Sequence, residues 1–506
     1  MSSKRTQVVT IGIMLSLFMA AIEGTVVATA MPTIIAELGG LKHYSWVFSA
    51  YMLTATTMVP LYGKLSDIYG RRPIFFISMA LFLGGSMLSG LSASMGQLIA
   101  FRALQGLGAG GLMPLAFIMI GDMFTFEQRA RMQGLFSGVW GVASIIGPLL
   151  GGFLVDRLTW HWVFYVNVAP GLFATLLVGS AWREQVQRRT GADRPAVDYA
   201  GTVLLTAAIV ALLLGLFQLG TLYGTLLIIS AGVLFVVLML VERRAADPVL
   251  PLALFRQRLF AVTTAQGLLA SWSMFGSTNY VPLFGQAILG VSATLAGVTL
   301  TPMSLSWTAA SIIGSRLLLR LGYRTIALAG MASLIIGSLL MAYLTAATTS
   351  ASALPLVMFS LGLMGVGMGL SVPAFLIAVQ SSVPRQMLGA ATAGVQFSRE
   401  IGGTVGVSIM GVILAAGLTA NLTAAGIDTN TVALDELINL GPQSTAASVL
   451  DLAVRDALGG AIHNLFLTSL AVAVLAFGVT MLAPRDRIAR RSQEVPANIS
   501  EASGGD

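Results

Sequence analysis

Four ionisable residues stand inside long apolar runs of this chain: Glu23, Arg102, Arg399 and Glu400. A charge in hydrocarbon is costly, so such residues pair with one another or serve the movement of protons and ions. A carboxyl in an apolar site suits proton carriage, because losing its water disfavours the charged form. Glu23 lies in Glu23-Gly-Thr25-Val-Val-Ala-Thr-Ala-Met-Pro32, and Arg102 opens Arg102-Ala-Leu-Gln105-Gly106. At about 1.5 Å per residue, Glu23 sits roughly 14–18 Å below the outer end of its run and Arg102 roughly 11 Å below its own. Similar depth permits pairing, directly or through a bound molecule and water. Arg399 and Glu400 are neighbours, and neighbours on a helix diverge by about 100°. One of the two is expected to face a cavity and the other a neighbouring helix. Glu400 is either a second proton or cation site, or a structural partner.

Other chemistries lack their residues. The chain has no Cys, and its three His (His43, His161, His463) are far apart in sequence. Thiolate metal sites, cysteine nucleophiles and disulfides are therefore excluded, and a metal centre is not expected. No G-x-x-x-x-G-K-[ST] loop is present to cradle ATP. No enzyme is expected, and no cofactor other than a proton.

The elements that position these residues must be membrane helices. Of 506 residues, 56% are hydrophobic and only 10% charged, far from the balance of a soluble globular chain. At about 20 residues per span, the apolar supply fills about fourteen spans. The runs lie near 8–33, 45–64, 74–94, 97–121, 133–155, 162–182, 199–219, 223–241, 259–285, 292–315, 324–346, 352–380, 389–417 and 461–483. Lys and Arg fall in clusters at alternate connections, such as Lys64/Arg71/Arg72, Arg129/Arg131 and Arg316/Arg320/Arg324. That alternation follows the positive-inside rule and places the clusters, with both termini, in the cytoplasm. The net charge of +7 is thus a topology signal, and no nucleic-acid partner is expected. The first run resembles a signal peptide ending at Ala28-Thr29-Ala30, but it is too long for one and is read as a retained span. The segment 418–460 is read as two short acidic surface helices broken at Gly441-Pro442, and the tail after Pro484 as disordered.

An internal repeat is visible. Gly106-x-Gly108-x-Gly110-x-x-x-Pro114 recurs as Gly365-x-Gly367-x-Gly369-x-x-x-Pro373. Gly134, Gly147 and Gly151 recur as Gly389, Gly402 and Gly406 at the same spacing, and Gly70-Arg71-Arg72 is echoed by Gly322-Tyr-Arg324. The expected fold is an all-α polytopic membrane protein of two pseudo-symmetric six-helix bundles with two inserted helices. The units are residues 1–182, the inserted pair with its cytoplasmic linkers at 183–258, the second bundle at 259–483, and a cytoplasmic tail at 484–506.

The repeat and its motifs resemble the major facilitator superfamily, in its fourteen-span drug:proton antiporter branch, over nearly the whole chain. The most specific motif is Gly63-x-x-x-Asp67-x-x-Gly70-Arg71-Arg72, which in that family latches the two halves together at the cytoplasmic gate in the outward-open state. Ile68 departs from the pattern, because the family usually has a base there, so one latch contact is expected to be missing. Gly138-x-x-x-x-x-x-x-x-Gly147-Pro148-x-x-Gly151-Gly152 resembles the family's antiporter motif, in which small residues admit close helix packing and Pro148 kinks the helix. Glu23 stands where the branch more often has Asp. Arg102 matches the family's buried Arg, and Arg399 a position where the branch often carries Arg.

The resemblance implies a proton-coupled exporter of amphipathic, cationic drugs in the cytoplasmic (inner) membrane, acting as a monomer. An exporter of lipids or envelope precursors is the alternative, since buried Arg could hold an anionic head group. A sensor or scaffold without transport fits the repeat poorly. Glu23, Arg102, Arg399 and Glu400 are the expected proton-coupling set. Met 24 and Phe 24 supply an adaptable apolar surface, for which Trp46, Tyr51, Gln105, Gln266, Trp272, Asn279, Tyr280 and Gln396 are candidate lining residues. Trp160 and Trp162 are read as interfacial anchors, and Asp122, Asp156 and Asp198 as caps or interfacial groups.

Overall fold

The computed structural model describes residues 3–38, 44–182, 198–244, 252–291, 293–347, 350–384, 387–426 and 450–485. Among these residues the chain is helical throughout, with no strand. The first half comprises α1 (Ser3–Leu38), α2 (Tyr44–Tyr69), α3 (Arg71–Gly90), α4 (Met95–Met123), α5 (Phe126–Arg157), the single turn α6 (Trp162–Tyr165) and α7 (Val168–Ala181). Two further helices follow, α8 (Tyr199–Phe217) and α9 (Leu222–Glu242). The second half comprises α10 (Leu252–Arg256), α11 (Arg258–Thr278), α12 (Val281–Leu283), a π-turn (Phe284–Ile288), α13 (Ala293–Val298), α14 (Thr301–Leu321), α15 (Tyr323–Ala347), α16 (Leu354–Ser382), α17 (Leu388–Ala424) and α18 (Leu450–Met481). Nine candidate spans among the described residues are long and apolar enough to cross a bilayer.

Local chemistry sets the boundaries. Ser94 accepts from the Gln97 amide at the start of α4, and Thr125 and Gln128 form a reciprocal capping box at the start of α5. Asp198 caps α8 through the Gly201 amide at 2.7 Å. The α2–α3 and α14–α15 junctions turn on Gly70 (φ 97°) and Gly322 (φ 80°), a conformation that residues with a Cβ avoid.

Three runs expected to be continuous are broken. The 162–182 run divides at Val166-Asn167, the 259–285 run ends its regular helix at Thr278, and the 292–315 run pauses between Val298 and Thr301. Hydropathy alone does not register such breaks, because the residues on both sides are apolar. The expected surface helices of 418–460 are also corrected: α17 runs on to Ala424, and α18 starts at Leu450. The remainder of that segment, with the break at Gly441-Pro442, lies outside the described residues, as does the tail beyond 485.

The repeated glycines mark the same packing twice. A Cβ on Gly106 or Gly110 would strike α2, and one on Gly108 would strike α3. Gly365 and Gly369 press on α14 in the same way, and Gly367 on α15. Thr54 donates to the Ala103 carbonyl at 2.9 Å, and Ser306 to the Gly362 carbonyl at 2.7 Å, fastening the equivalent pairs α2–α4 and α14–α16. The echoed junctions agree too: Arg72 donates to the Gly179 carbonyl at the end of α7, and Arg324 to Met481 at the end of α18.

The apolar cores are distributed unequally. At the end carrying the Gly63–Arg72 motif, one core joins both halves, with Phe75, Leu115 and Phe136 sharing it with Phe260, Leu376 and Val395. Toward the other end the cores separate, one built from first-half residues such as Ile34 and Trp160, the other from second-half residues such as Phe284 and Leu414. Helix α8 lies across the α2–α17 seam, packing Leu205, Ile209 and Leu213 with Leu53, Phe397 and Ile401.

Candidate functional site

Helices α1, α3, α4 and the break before α7 converge on a buried polar cluster in the first half. Glu23 and Arg102 form a direct ion pair, and both side chains are sealed from solvent. The second Glu23 oxygen accepts from Asn167 Nδ2 at 2.7 Å. Arg102 also donates to Gln105 Oε1 at 2.7 Å and to the Val47 carbonyl at 3.3 Å. Its guanidinium stands 4.2 Å from the centre of the Tyr51 ring, a cation–π contact strengthened by the absence of water. Ser86 accepts from Gln105 Nε2 and Asn167 Nδ2, each at 3.2 Å, and donates to the Phe164 carbonyl at 2.8 Å. Two buried atoms remain without a hydrogen-bond partner, Arg102 Nη2 and Asn167 Oδ1. A network this nearly satisfied holds two opposite charges at no net charge. A proton added to Glu23 would leave Arg102 uncompensated.

The second half carries its charges differently. Arg399 donates to Gln396 Oε1 at 2.9 Å, while its Nε is buried and unpaired. No side-chain hydrogen bond or ion pair of Glu400 occurs among the described residues.

The motif end is closed by a separate network. Asp67, near the end of α2, accepts from the backbone amides of Gly389 (3.2 Å) and Ala390 (2.9 Å), the first turn of α17. It thus caps a helix in the opposite half, where a carboxylate meets free N–H groups and the positive end of the dipole. Arg71 pairs with Asp67 and, at 2.9 Å, with Asp122. Gly63 is required by space, since a Cβ there would collide with Ala393. Arg129 donates to the carbonyls of Gly121 and Gln380, which hold equivalent places in α4 and α16. A second closed seam joins α5 to α14, where Ser137 donates to Ser311 at 2.6 Å and accepts at its carbonyl from Thr308 at 3.0 Å.

The other candidates scatter. Gln105 spends its amide inside the first-half cluster, and Gln266 is buried, donating to Met331 Sδ at 3.3 Å; neither reaches open space. Trp272 lies against Gly406 with its Nε1 unpaired. Asn279 is exposed and bonds back to Phe275, whereas the Tyr280 hydroxyl donates to the Val407 carbonyl at 3.0 Å. Trp46 is half-buried near the start of α2. Gly147 packs on Thr25 of α1, while Gly152 faces open space; α5 runs unbroken through Pro148, and Gly151 is buried. Trp160 donates to Glu37 Oε2 at 2.8 Å. Sequence reasoning missed Asn167, Ser86, Asp122, Arg129 and Gln380. Asn167 was visible as a lone amide in an apolar run, and Asp122 was read as a cap although it pairs with Arg71.

Comparison with known proteins follows from this geometry. A sequence profile of the Major Facilitator Superfamily matches residues 13–407. The chain is 39% identical to the multidrug transporter protein MdtP of Bacillus subtilis (strain 168) over 422 residues, covering 82% of this chain and 76% of that protein. It is 34% identical to multidrug resistance protein 3 of the same organism over 493 residues, covering 94% of each. Among solved structures, the human organic anion transporter MFSD10 (TETRAN) superposes with a TM-score of 0.65 at 15% identity, over 94% of this chain and 99% of that one. That likeness is one of fold.

Proposed function

The chain belongs to the Major Facilitator Superfamily, and from that premise we propose that it is a proton-coupled efflux transporter of amphipathic, cationic drugs. It is a transporter and not an enzyme, in keeping with relatives named as multidrug transport and resistance proteins. In this reading it has fourteen spans in the cytoplasmic membrane with both termini inside, and acts as a monomer by alternating access. Residues 1–182 and 259–483 are the two moving bundles, with α8 and α9 beside them.

The observation that carries this reading is the unequal core: shared by both halves at the motif end, divided toward the other. Two bodies fused at one end and parted at the other suit a chamber that opens to one side at a time. The latch of Asp67 on the first turn of α17 stabilises that state. A proton arriving from outside neutralises Glu23, releases Arg102 and permits the return to the inward-open state. A deprotonated carboxylate holds the cationic cargo, favoured by Coulomb attraction in a medium less screening than water.

The test is transport in proteoliposomes with an imposed proton gradient. A permanently charged lipophilic cation should accumulate in vesicles with an acidic lumen beyond the protein-free control, and a protonophore should abolish the excess. Accumulation indifferent to the gradient would remove proton coupling from the account.

A further inference from the structure

The charges on α17 stand on either side of one sector of the helix. Gly402 and Gly406 press on α11, Gly389 and Ala393 on α2 (through Asp67 and Gly63), and Phe397 and Ile401 on α8. At about 100° per residue, Arg399 borders the α11 side and Glu400 the α2 side, with Gln396 between them. Gly267 of α11 makes room for the Arg399 stem, since a Cβ there would lie 3.0 Å from its Cγ. The two side chains form no direct ion pair, although each lies within reach of the other's charge.

This departs from the first half, where Glu23 and Arg102 neutralise one another and leave no charge to offer. A proton can discharge Glu400, but a guanidinium stays charged at any working pH. Glu400 is the opposite charge that Arg399 feels, so a purely cationic ligand that engages Glu400 leaves the half-buried Arg399 less compensated. A ligand with both signs satisfies the two groups at once.

We propose that α17 carries a dipolar recognition site, in which Glu400 on its α2 side takes the cationic group of an amphipathic cargo and Arg399 with Gln396 takes an acidic group on the same molecule. The preferred cargo is thus a zwitterion on an apolar body. This rests on the export reading, yet it is tested by binding alone and stands or falls separately. The same chemistry occurs in a zwitterionic drug and in a phospholipid head group.

The experiment measures binding to the purified full-length protein in nanodiscs. Rhodamine B carries a carboxylate and a delocalised cation, its ethyl ester keeps only the cation, and fluorescein is anionic. The wild type should bind rhodamine B about tenfold more tightly than the ester, the contribution of one charge-assisted hydrogen bond. Arg399→Gln should erase that preference by weakening rhodamine B and fluorescein while sparing the ester, and Arg399→Lys should restore part of it. Glu400→Gln should weaken both cation-bearing probes and spare fluorescein. Ester binding retained in Arg399→Gln reports an intact fold. Displacement of rhodamine B by short-chain phosphatidylcholine, lost in Arg399→Gln, would extend the same site to lipid head groups. The proposal is overturned if the wild type binds ester and acid alike, if the preference survives Arg399→Gln, or if all probes weaken together in Arg399→Gln and Arg399→Lys. A proton gradient that moves no probe would overturn the export reading while leaving the binding result intact.

Discussion

The first half neutralises its buried charges internally, and the second half leaves them unpaired. Glu23 meets Arg102 and Asn167, and Arg102 meets Gln105, Val47 and the Tyr51 ring. In the second half, Arg399 donates to Gln396 and Glu400 makes no side-chain hydrogen bond or direct ion pair among the described residues. The same fold repeated twice thus holds its charges in two ways, and in the proposed reading these serve two tasks: the sealed pair reports on a proton, and the open pair receives a ligand. The gate shows the same asymmetry. Arg71 forms ion pairs with Asp67 and Asp122, whereas its counterpart Tyr323 donates to the Pro484 carbonyl at 2.9 Å and packs its ring near Phe375.

The largest expected effect comes from breaking the sealed pair. Arg102→Gln strands the Glu23 carboxylate and should destabilise the protein by about 3–5 kcal/mol, the cost of removing one partner of a buried pair. Arg399→Gln removes a half-buried charge that makes no direct ion pair and feels Glu400 only at longer range, so it should cost far less. Thermal unfolding of the two purified variants checks this, and equal losses would erase the difference between the halves.

Removing the latch comes next. Asp67→Ala loses two backbone caps and an ion pair, worth about 2–3 kcal/mol together, so the outward-to-inward ratio should fall by roughly 30–100-fold. Spin-label distances between α2 and α17 at the motif end would record the shift, while cargo affinity in the outward state should hold. A large loss of affinity with an unmoved distance distribution would contradict the latch.

The smallest effects sharpen the comparison by being alike. Arg72→Ala and Arg324→Ala each remove an exposed bond to the end of the last helix of their half, and Arg72→Ala also removes a cation–π contact with the Phe76 ring at 5.6 Å. Each should cost about 1 kcal/mol or less, and chemical denaturation should find the two nearly equal. A much larger loss for one of them would mean that the junctions are not equivalent.

Much of this plan was legible in the sequence. Charged residues in apolar runs announce themselves by their cost, so Glu23, Arg102, Arg399 and Glu400 could be singled out without a structure. The glycine repeat was legible because close helix contacts tolerate no Cβ, and Gly106 and Gly365 prove to meet equivalent neighbours. Partner choice was not legible. Asn167 reaches Glu23 only because the chain breaks at Val166-Asn167 and brings the amide inward, a bend that hydropathy does not encode. Gln105 and Gln266 looked like lining residues, yet each lies on the inward face of its helix, and that face depends on how helices cross. Arg129 looked like a topology signal, and its bond to the Gln380 carbonyl exists only once the halves are apposed.

The central claim is that the halves divide the work, Glu23 sensing the proton and Glu400 holding the cargo. The most direct test compares Glu23→Gln with Glu400→Gln in two assays on the same preparations: equilibrium binding of a permanently charged lipophilic cation, and its gradient-driven uptake. The account predicts that Glu23→Gln binds the cation but no longer accumulates it, while Glu400→Gln loses binding itself. Normal binding in Glu400→Gln, together with loss of binding in Glu23→Gln, would contradict it.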